Sequence, residues 1–245
     1  MVIATHPAAT HTRSRQAVIG SAAVVVILAA INVAKNLLPS STVWLSVFAA
    51  AGLLLIARRS GLTWAQLGMG RHRIRHGAAW AAGAIVVVAA VYVAGLLMPE
   101  TRAAFLDTRY RLGIPHALLT AFVVIPVGTV LLEEVAFRSV LWGMLKRHMT
   151  TWRVVIVSSS LFGLWHVLPS LSFASANRGV SEVSPPGAPG TALVVLITVL
   201  FTALGGVVAG ELRRRSGSVL ASAGMHWATN ALGVLFGVIA WRLAG

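Results

Sequence analysis

Long apolar runs alternate along the chain with short polar, mostly basic segments, and none of the runs shows the period-two alternation of a half-buried strand. A helix needs about 20 apolar residues to cross roughly 30 Å of hydrocarbon. Seven stretches approach that length, at 17–34, 41–57, 77–98, 117–145, 153–171, 191–212 and 218–243. The pattern predicts an all-α polytopic transmembrane helical bundle. Arg13 and Arg15 precede the first run as they would in a signal peptide, but six further runs follow, so the first helix is read as retained. Residues 1–16 are small and polar without periodicity and are expected to form a mobile tail; residues 17–245 form a single transmembrane domain. The basic loop 58–76 surrounds an amphipathic stretch, Leu62 to Leu67, expected on the membrane surface. Of the loops at the other end, 99–116 mixes charge signs, and 172–190, with Ser184-Pro185-Pro186-Gly187, is expected to be flexible.

Composition sharpens this reading. The chain is 57% hydrophobic and 11% charged, with mean hydropathy +0.83, whereas a soluble domain carries about 25% charged residues. A net charge of +14 would point to nucleic acid in a soluble protein, but here the charges sort by membrane side. With the N-terminus inside, the inner loops hold 13 Lys and Arg, the outer loops hold 6 (Lys35, Arg102, Arg109, Arg111, Arg178 and Arg242), and Arg138 lies within a span. That split predicts N-in, C-out for seven spans, with the lipid bilayer and no nucleic acid as partner. The absence of cysteine excludes disulfides and thiolate metal sites. Trp44, Trp80, Trp142, Trp152 and Trp241 fall near span ends, as an aromatic belt requires.

The chain has six carboxylates, and two of them, Glu133 and Glu134, stand side by side inside the fourth run. Ionisable groups at such positions mark functional sites. Glu134 and Arg138 are four apart and share a helical face, so they can pair; Glu133 is expected to point elsewhere. One Arg neutralises one Glu, and a second carboxylate in a low-dielectric site is either protonated or poised as a base. Pro126 upstream is expected to bend the span and open space for water. The fifth run places Phe162 and His166 on one face, and the last places His226 and Asn230 on one face. Taken singly, each has a structural explanation: an ion cluster, a packed imidazole, a polar bridge between helices.

Depth favours a common site. At 1.5 Å per residue from the nearest basic marker, Glu133, His166, His226 and Asn230 all lie roughly 17–23 Å from the inner boundary. Such a set can activate water, with Glu133 taking the proton, His166 holding or relaying it, and His226 with Asn230 donating to an oxyanion. Glu133, His166 and His226 are also a conceivable His₂Glu zinc set, although no His-Glu-x-x-His helix is present and Asn230 is a poor zinc ligand. Gly206 and Gly210, spaced Gly-x-x-x-Gly, would let helices approach closely around this layer.

Glu-Glu-x-x-x-Arg at 133–138, Phe-x-x-x-His at 162–166 and His-x-x-x-Asn at 226–230, followed in this order and joined by the Arg-Ser-Gly-Ser turn at 215–218, resemble the CAAX protease and bacteriocin-processing (CPBP, or Abi) family over about 117–232. Ser139 departs from the Gly usual after the Arg. The resemblance implies an intramembrane glutamate endopeptidase of the bacterial plasma membrane, acting without a cofactor on a membrane-associated peptide or protein. By motif position Glu133, His166, His226 and Asn230 would be catalytic, with Glu134, Arg138 and Phe162 supporting them. The family also contains immunity and scaffold proteins, which leaves a non-proteolytic membrane role as the alternative.

The charge split sets an expected topology: reporter fusions in 58–76 should report the inner side and fusions after Gly245 the outer side, and the reverse pattern would overturn the assignment.

Overall fold

The computed structural model describes residues 7–244, and seven long helices account for most of them: α1 (Pro7–Leu37), α2 (Thr42–Arg59), α3 (Ile74–Leu97), α4 (Ile114–Leu145), α5 (Thr151–Trp165), α6 (Gly187–Ser216) and α7 (Val219–Leu243). No strand occurs among the described residues beyond an isolated bridge between Asp107 and Asn177. Pro7 suits a first helical turn, where its missing N–H is no loss. The tail expected over 1–16 is therefore helical from Pro7 onward, and residues 1–6 lie outside the described residues.

Six of the seven helices are long and apolar enough to cross a membrane; α5, at 15 residues, is not. The segment read as the fifth span stops at Trp165, turns at His166 (φ −87°, ψ 0°) and resumes as one short turn, Val167–Ser170. The break lets the chain place His166 at the end of a helix.

Lipid supplies no hydrophobic drive for one apolar helix to leave hydrocarbon for another, so close packing through small residues holds such bundles together. The α5–α6 contact follows that rule. A Cβ on Gly163 would sit 2.7 Å from the Val199 carbonyl oxygen and 2.9 Å from Ala203 Cβ, and one on Gly206 would sit 3.1 Å from Ser159 Cα. Gly210 faces Trp142 and Val155. The close approach expected of Gly206 and Gly210 is thus present, and Gly163 adds to it. Bulky side chains such as Phe48, Val86, Phe201 and Leu204 remain on the outside, where lipid would cover them.

α4 is the axis of the bundle, and all eight residues from Glu134 to Leu141 are buried. It is not a regular α-helix: Thr120–Val124, Pro126–Val130 and Glu134–Leu141 are wound as wider π turns. Pro126 removes one N–H from the ladder, which is one physical cause of the irregularity. Carbonyls left by such turns need partners, because lipid offers none. Ser46 Oγ and Lys35 Nζ donate to the Gly128 carbonyl at 2.6 and 3.0 Å. Ser158 Oγ donates to Phe137 O at 3.1 Å, and Arg213 Nε donates to Arg138 O at 3.2 Å. Neighbouring helices thereby fix the rotation of α4.

The basic loop after α2 differs from its expectation. Leu62 and Leu67 are buried in the protein core and do not lie on the membrane surface. The loop is tied down by Arg213 donating to Gln66 O and by Val219 N–H donating to Gly68 O, both at 3.0 Å. Gly68 (φ +76°) adopts a backbone that only Gly takes readily. At the opposite end the two remaining loops cover one another. Asn177 Nδ2 donates to Ala104 O at 3.0 Å, Arg178 N–H donates to Leu106 O at 3.0 Å, and Trp241 Nε1 donates to Asp107 O at 2.8 Å. The segment expected to be a flexible Ser/Gly/Pro loop therefore contains a pinned helical turn, Arg178–Val183.

Replacing Gly163 by Val should separate α5 from α6 and cost about 1–3 kcal/mol, the usual penalty for overpacking; a lowered thermal midpoint in detergent checks this, and an unchanged midpoint would show that the helices are not in such close contact.

Candidate active site

The carboxylate pair is deeply enclosed: relative exposure is 4% for Glu133, 2% for Glu134, 2% for Arg138 and 7% for His226. Ions removed from water to this degree cost several kcal/mol each unless partnered. Glu134 is the best partnered. Its Oε1 lies 3.0 Å from His226 Nδ1 and 3.7 Å from Arg138 Nη1, so the pair expected from the four-residue spacing forms. Arg138 also lies with Cζ 3.9 Å from the centre of the Phe162 ring, a cation–π contact strengthened by the apolar setting.

Glu133 does not point away from this cluster, as regular helical geometry suggested. Its Oε2 lies 3.6 Å from His226 Nε2, so one imidazole from α7 stands between both carboxylates of α4. Adjacent residues reach one ring because the backbone runs into a π turn at this point, and π turns occur frequently at functional sites. Asn230 also sits in a π turn, Ala228–Leu232. Glu133 Oε1 accepts a hydrogen bond from Trp165 Nε1 at 3.1 Å, while Oε2 is buried with no hydrogen-bond donor among the described residues.

His166 is set by the end of α5. Its Nδ1 lies 2.8 Å from the Phe162 carbonyl oxygen; a carbonyl only accepts, so Nδ1 is the donor and Nε2 is the ring nitrogen left for other partners. Phe162 packs edge-on against His166 (4.7 Å between centres), His226 (5.8 Å) and Phe137 (5.2 Å), so this one ring touches three of the predicted site residues: His166, His226 and Arg138.

Glu133, His166 and Asn230 line one cavity of about 560 Å³, which extends toward the end of the bundle away from the arginine-rich loops. His226 is reached through Glu133. Four side chains separated by almost 100 positions are thus gathered at one place, three on the cavity wall and one directly behind it. As a zinc set, Glu133, His166 and His226 do not fit: no three His, Cys, Asp or Glu side chains among the described residues are arranged to hold a metal, and both nitrogens of His226 face carboxylates.

Residues not anticipated from the sequence complete the wall. Trp165 holds Glu133, Asn32 Nδ2 donates to Trp165 O at 2.9 Å, and Lys35 enters the cavity from the last turn of α1. Asn32 and Lys35, three apart in an apolar run, carried a same-face signal; Lys35 was absorbed into the tally of outer charges. Arg109 also borders the cavity, and its bidentate hydrogen bonds to Asp107 (2.9 and 2.6 Å) hold its guanidinium above its ordinary pKa.

Helices long and apolar enough to cross a membrane thus enclose a Glu/His cluster beside a polar cavity. Residues 115–232 match the family described as Type II CAAX prenyl endopeptidase Rce1-like, which bears out the CPBP resemblance over this segment. The match runs from α4 into α7 and contains every motif residue. No curated protein and no solved structure matches the chain. The family is a protease family of membranes, which supports an integral membrane endopeptidase with a membrane-associated peptide substrate.

Because Arg138 is enclosed with Glu134, replacing it with Ala strands a buried carboxylate and should cost about 3–5 kcal/mol; a large loss of thermal stability or of folded yield checks this, and a protein of undiminished stability would show that the pair is not structural.

Proposed function

We propose that the protein is a metal-independent glutamate endopeptidase that hydrolyses a peptide bond of a membrane-associated substrate with water activated by Glu133 and His166. The observation that supports this most is the asymmetry of Glu133: one oxygen is fixed by Trp165, and the other is free of donors on the wall of a cavity shared with His166 and Asn230. A carboxylate so held has a lone pair available for a water proton.

In this reading a water molecule in the cavity lies between Glu133 and His166 Nε2. Glu133 takes one of its protons as the oxygen attacks the scissile carbonyl carbon. The carbonyl oxygen becomes an oxyanion, to which Asn230 Nδ2 donates from the cavity wall. Collapse breaks the C–N bond, and the proton held by Glu133 or His166 passes to the leaving nitrogen, giving a carboxylate and an amine. Glu134 acts on His226: as an acceptor at Nδ1 it orients the ring so that Nε2 faces Glu133. Arg138 and Phe162 hold Glu134 and the two imidazoles in place.

The setting proposed is the bacterial plasma membrane with the N-terminus inside. The cavity then opens toward the outer face, because it extends away from the basic loops.

Glu133→Gln keeps shape and hydrogen-bonding capacity but not basicity. It should leave the melting profile intact and lower peptide hydrolysis at least about 100-fold, the scale of general-base catalysis. Near-normal turnover would remove Glu133 from the mechanism, and an unchanged cellular phenotype with no hydrolysis by the unmodified protein would favour an immunity or scaffold role. Glu134→Gln should reduce stability as well, since it loosens both Arg138 and His226.

A further inference from the structure

A groove on the outside of the bundle shares no residue with the cavity that holds Glu133. It measures about 640 Å³ and runs between α3, which supplies Ala79, Gly83 and Val87, and the neighbouring α6 and α7, which supply Val208, Leu212 and Met225. Small residues elsewhere in the bundle bring helices together; here they leave space between them. A Cβ on Gly224 would lie 2.5 Å from Ala81 Cβ, where α7 meets α3, whereas a Cβ on Gly83 would meet nothing within 4 Å. The polar part of the wall lies at the end nearest the arginine-rich loops. There Trp80 Nε1 donates to His76 Nε2 at 3.1 Å, which leaves the other ring nitrogen of His76 for a further partner.

That end of the groove is basic without compensation. Residues 58–76 contain no carboxylate. Arg71, Arg73 and Arg75 are exposed and enter none of the ion pairs among the described residues. Arg73 reaches the turn between α6 and α7, its Nε 3.5 Å from the position that a Gly217 Cβ would take. Glu211, the one carboxylate near the end of α6, is already held by Arg214 and Arg215. Depth completes the match. From His76 to Val88 the helix rises about 18 Å, which covers the roughly 15 Å of hydrocarbon in one leaflet and the start of its headgroup layer. We propose that this groove binds one anionic phospholipid from the leaflet on the side of the arginine-rich loops, with an acyl chain along Gly83 and the phosphate among Arg73, Arg75 and His76. The lipid fills the space between α3 and α6 and so fastens α3, whose Tyr92 donates to Thr229 O, next to Asn230, at 2.7 Å.

The test uses full-length protein in detergent, with native mass spectrometry to count retained lipid and thermal unfolding to read its effect. The probes are phosphatidylglycerol, phosphatidylcholine with the same acyl chains, and glycerophosphoglycerol, which is the headgroup without chains. The unmodified protein should retain one phosphatidylglycerol at least about tenfold more tightly than phosphatidylcholine and gain more thermal stability from it. Gly83→Leu, which fills the groove with a better helix former, should remove this retention. Gly52→Leu, equally unobstructed but on α2, should keep it. Arg73→Gln with Arg75→Gln should abolish the preference for phosphatidylglycerol, and Arg73→Lys with Arg75→Lys should retain most of it and guard against misfolding. Equal retention of the two lipids, or a preference that survives either Gly83→Leu or the paired Gln substitutions, would overturn the site. Competition by glycerophosphoglycerol as strong as that of the whole lipid would reduce it to an anion site, and displacement of the lipid by an S-prenylated peptide would give the groove to a substrate tail; either result would overturn the phospholipid assignment.

Discussion

Two adjacent carboxylates enclosed in a bundle built for lipid impose the constraint from which most of the interior follows. Each would cost several kcal/mol if left without partners. The surrounding structure meets that cost with groups from three other parts of the chain. Arg138 comes from the next turn of the same helix, His226 from α7, and Trp165 from the end of α5. Phe162 then serves as a shared floor, with its face to the guanidinium and ring contacts to both imidazoles. Compensation is incomplete at several atoms, Glu133 Oε2, Glu134 Oε2 and Arg138 Nη1 among them, and of these three residues only Glu133 lines the cavity.

The irregular winding of α4 is the means by which neighbouring residues reach one imidazole, and it creates a second obligation. Carbonyls at Gly128, Phe137 and Arg138 accept side-chain donors from α1, α2, α5 and α6. These bonds do more than satisfy oxygens. They couple the rotation of α4 to four surrounding helices, so the positions of Glu133 and Glu134 depend on residues far from them in sequence. The loop 60–70 joins the same system through Arg213, which bonds Gln66 O on one side and Arg138 O on the other.

The segment that matches the protease family supplies the proposed chemical groups, while the N-terminal helices supply part of the cavity wall. Asn32, Lys35 and Thr42 precede the matched residues and face the same space as Glu133 and Asn230. A shared reaction with variable selection would be expected to divide along such a line, because the reacting atoms tolerate little displacement whereas the wall needs only to complement a ligand.

The sequence by itself determined the all-helical membrane architecture, because apolar runs of span length between basic loops leave few other options. It also determined the candidate groups, because a carboxylate pair is conspicuous in a chain with six acids. The Glu134–Arg138 pair was legible for the same reason: four-residue spacing brings side chains together whether the turn is regular or somewhat wide. Tertiary structure alone decided the rest. The direction of Glu133 depends on π winding, which apolar periodicity does not encode. The end of α5 at Trp165 depends on a turn within a run whose hydropathy continues past it. Leu62 and Leu67 are amphipathic at the level of sequence, and whether such a face meets lipid or protein is settled by Arg213 and Gly68 drawing the loop onto the bundle. Lys35 reads in sequence as a boundary charge, and its place in the cavity exists only once α1 is packed against α4.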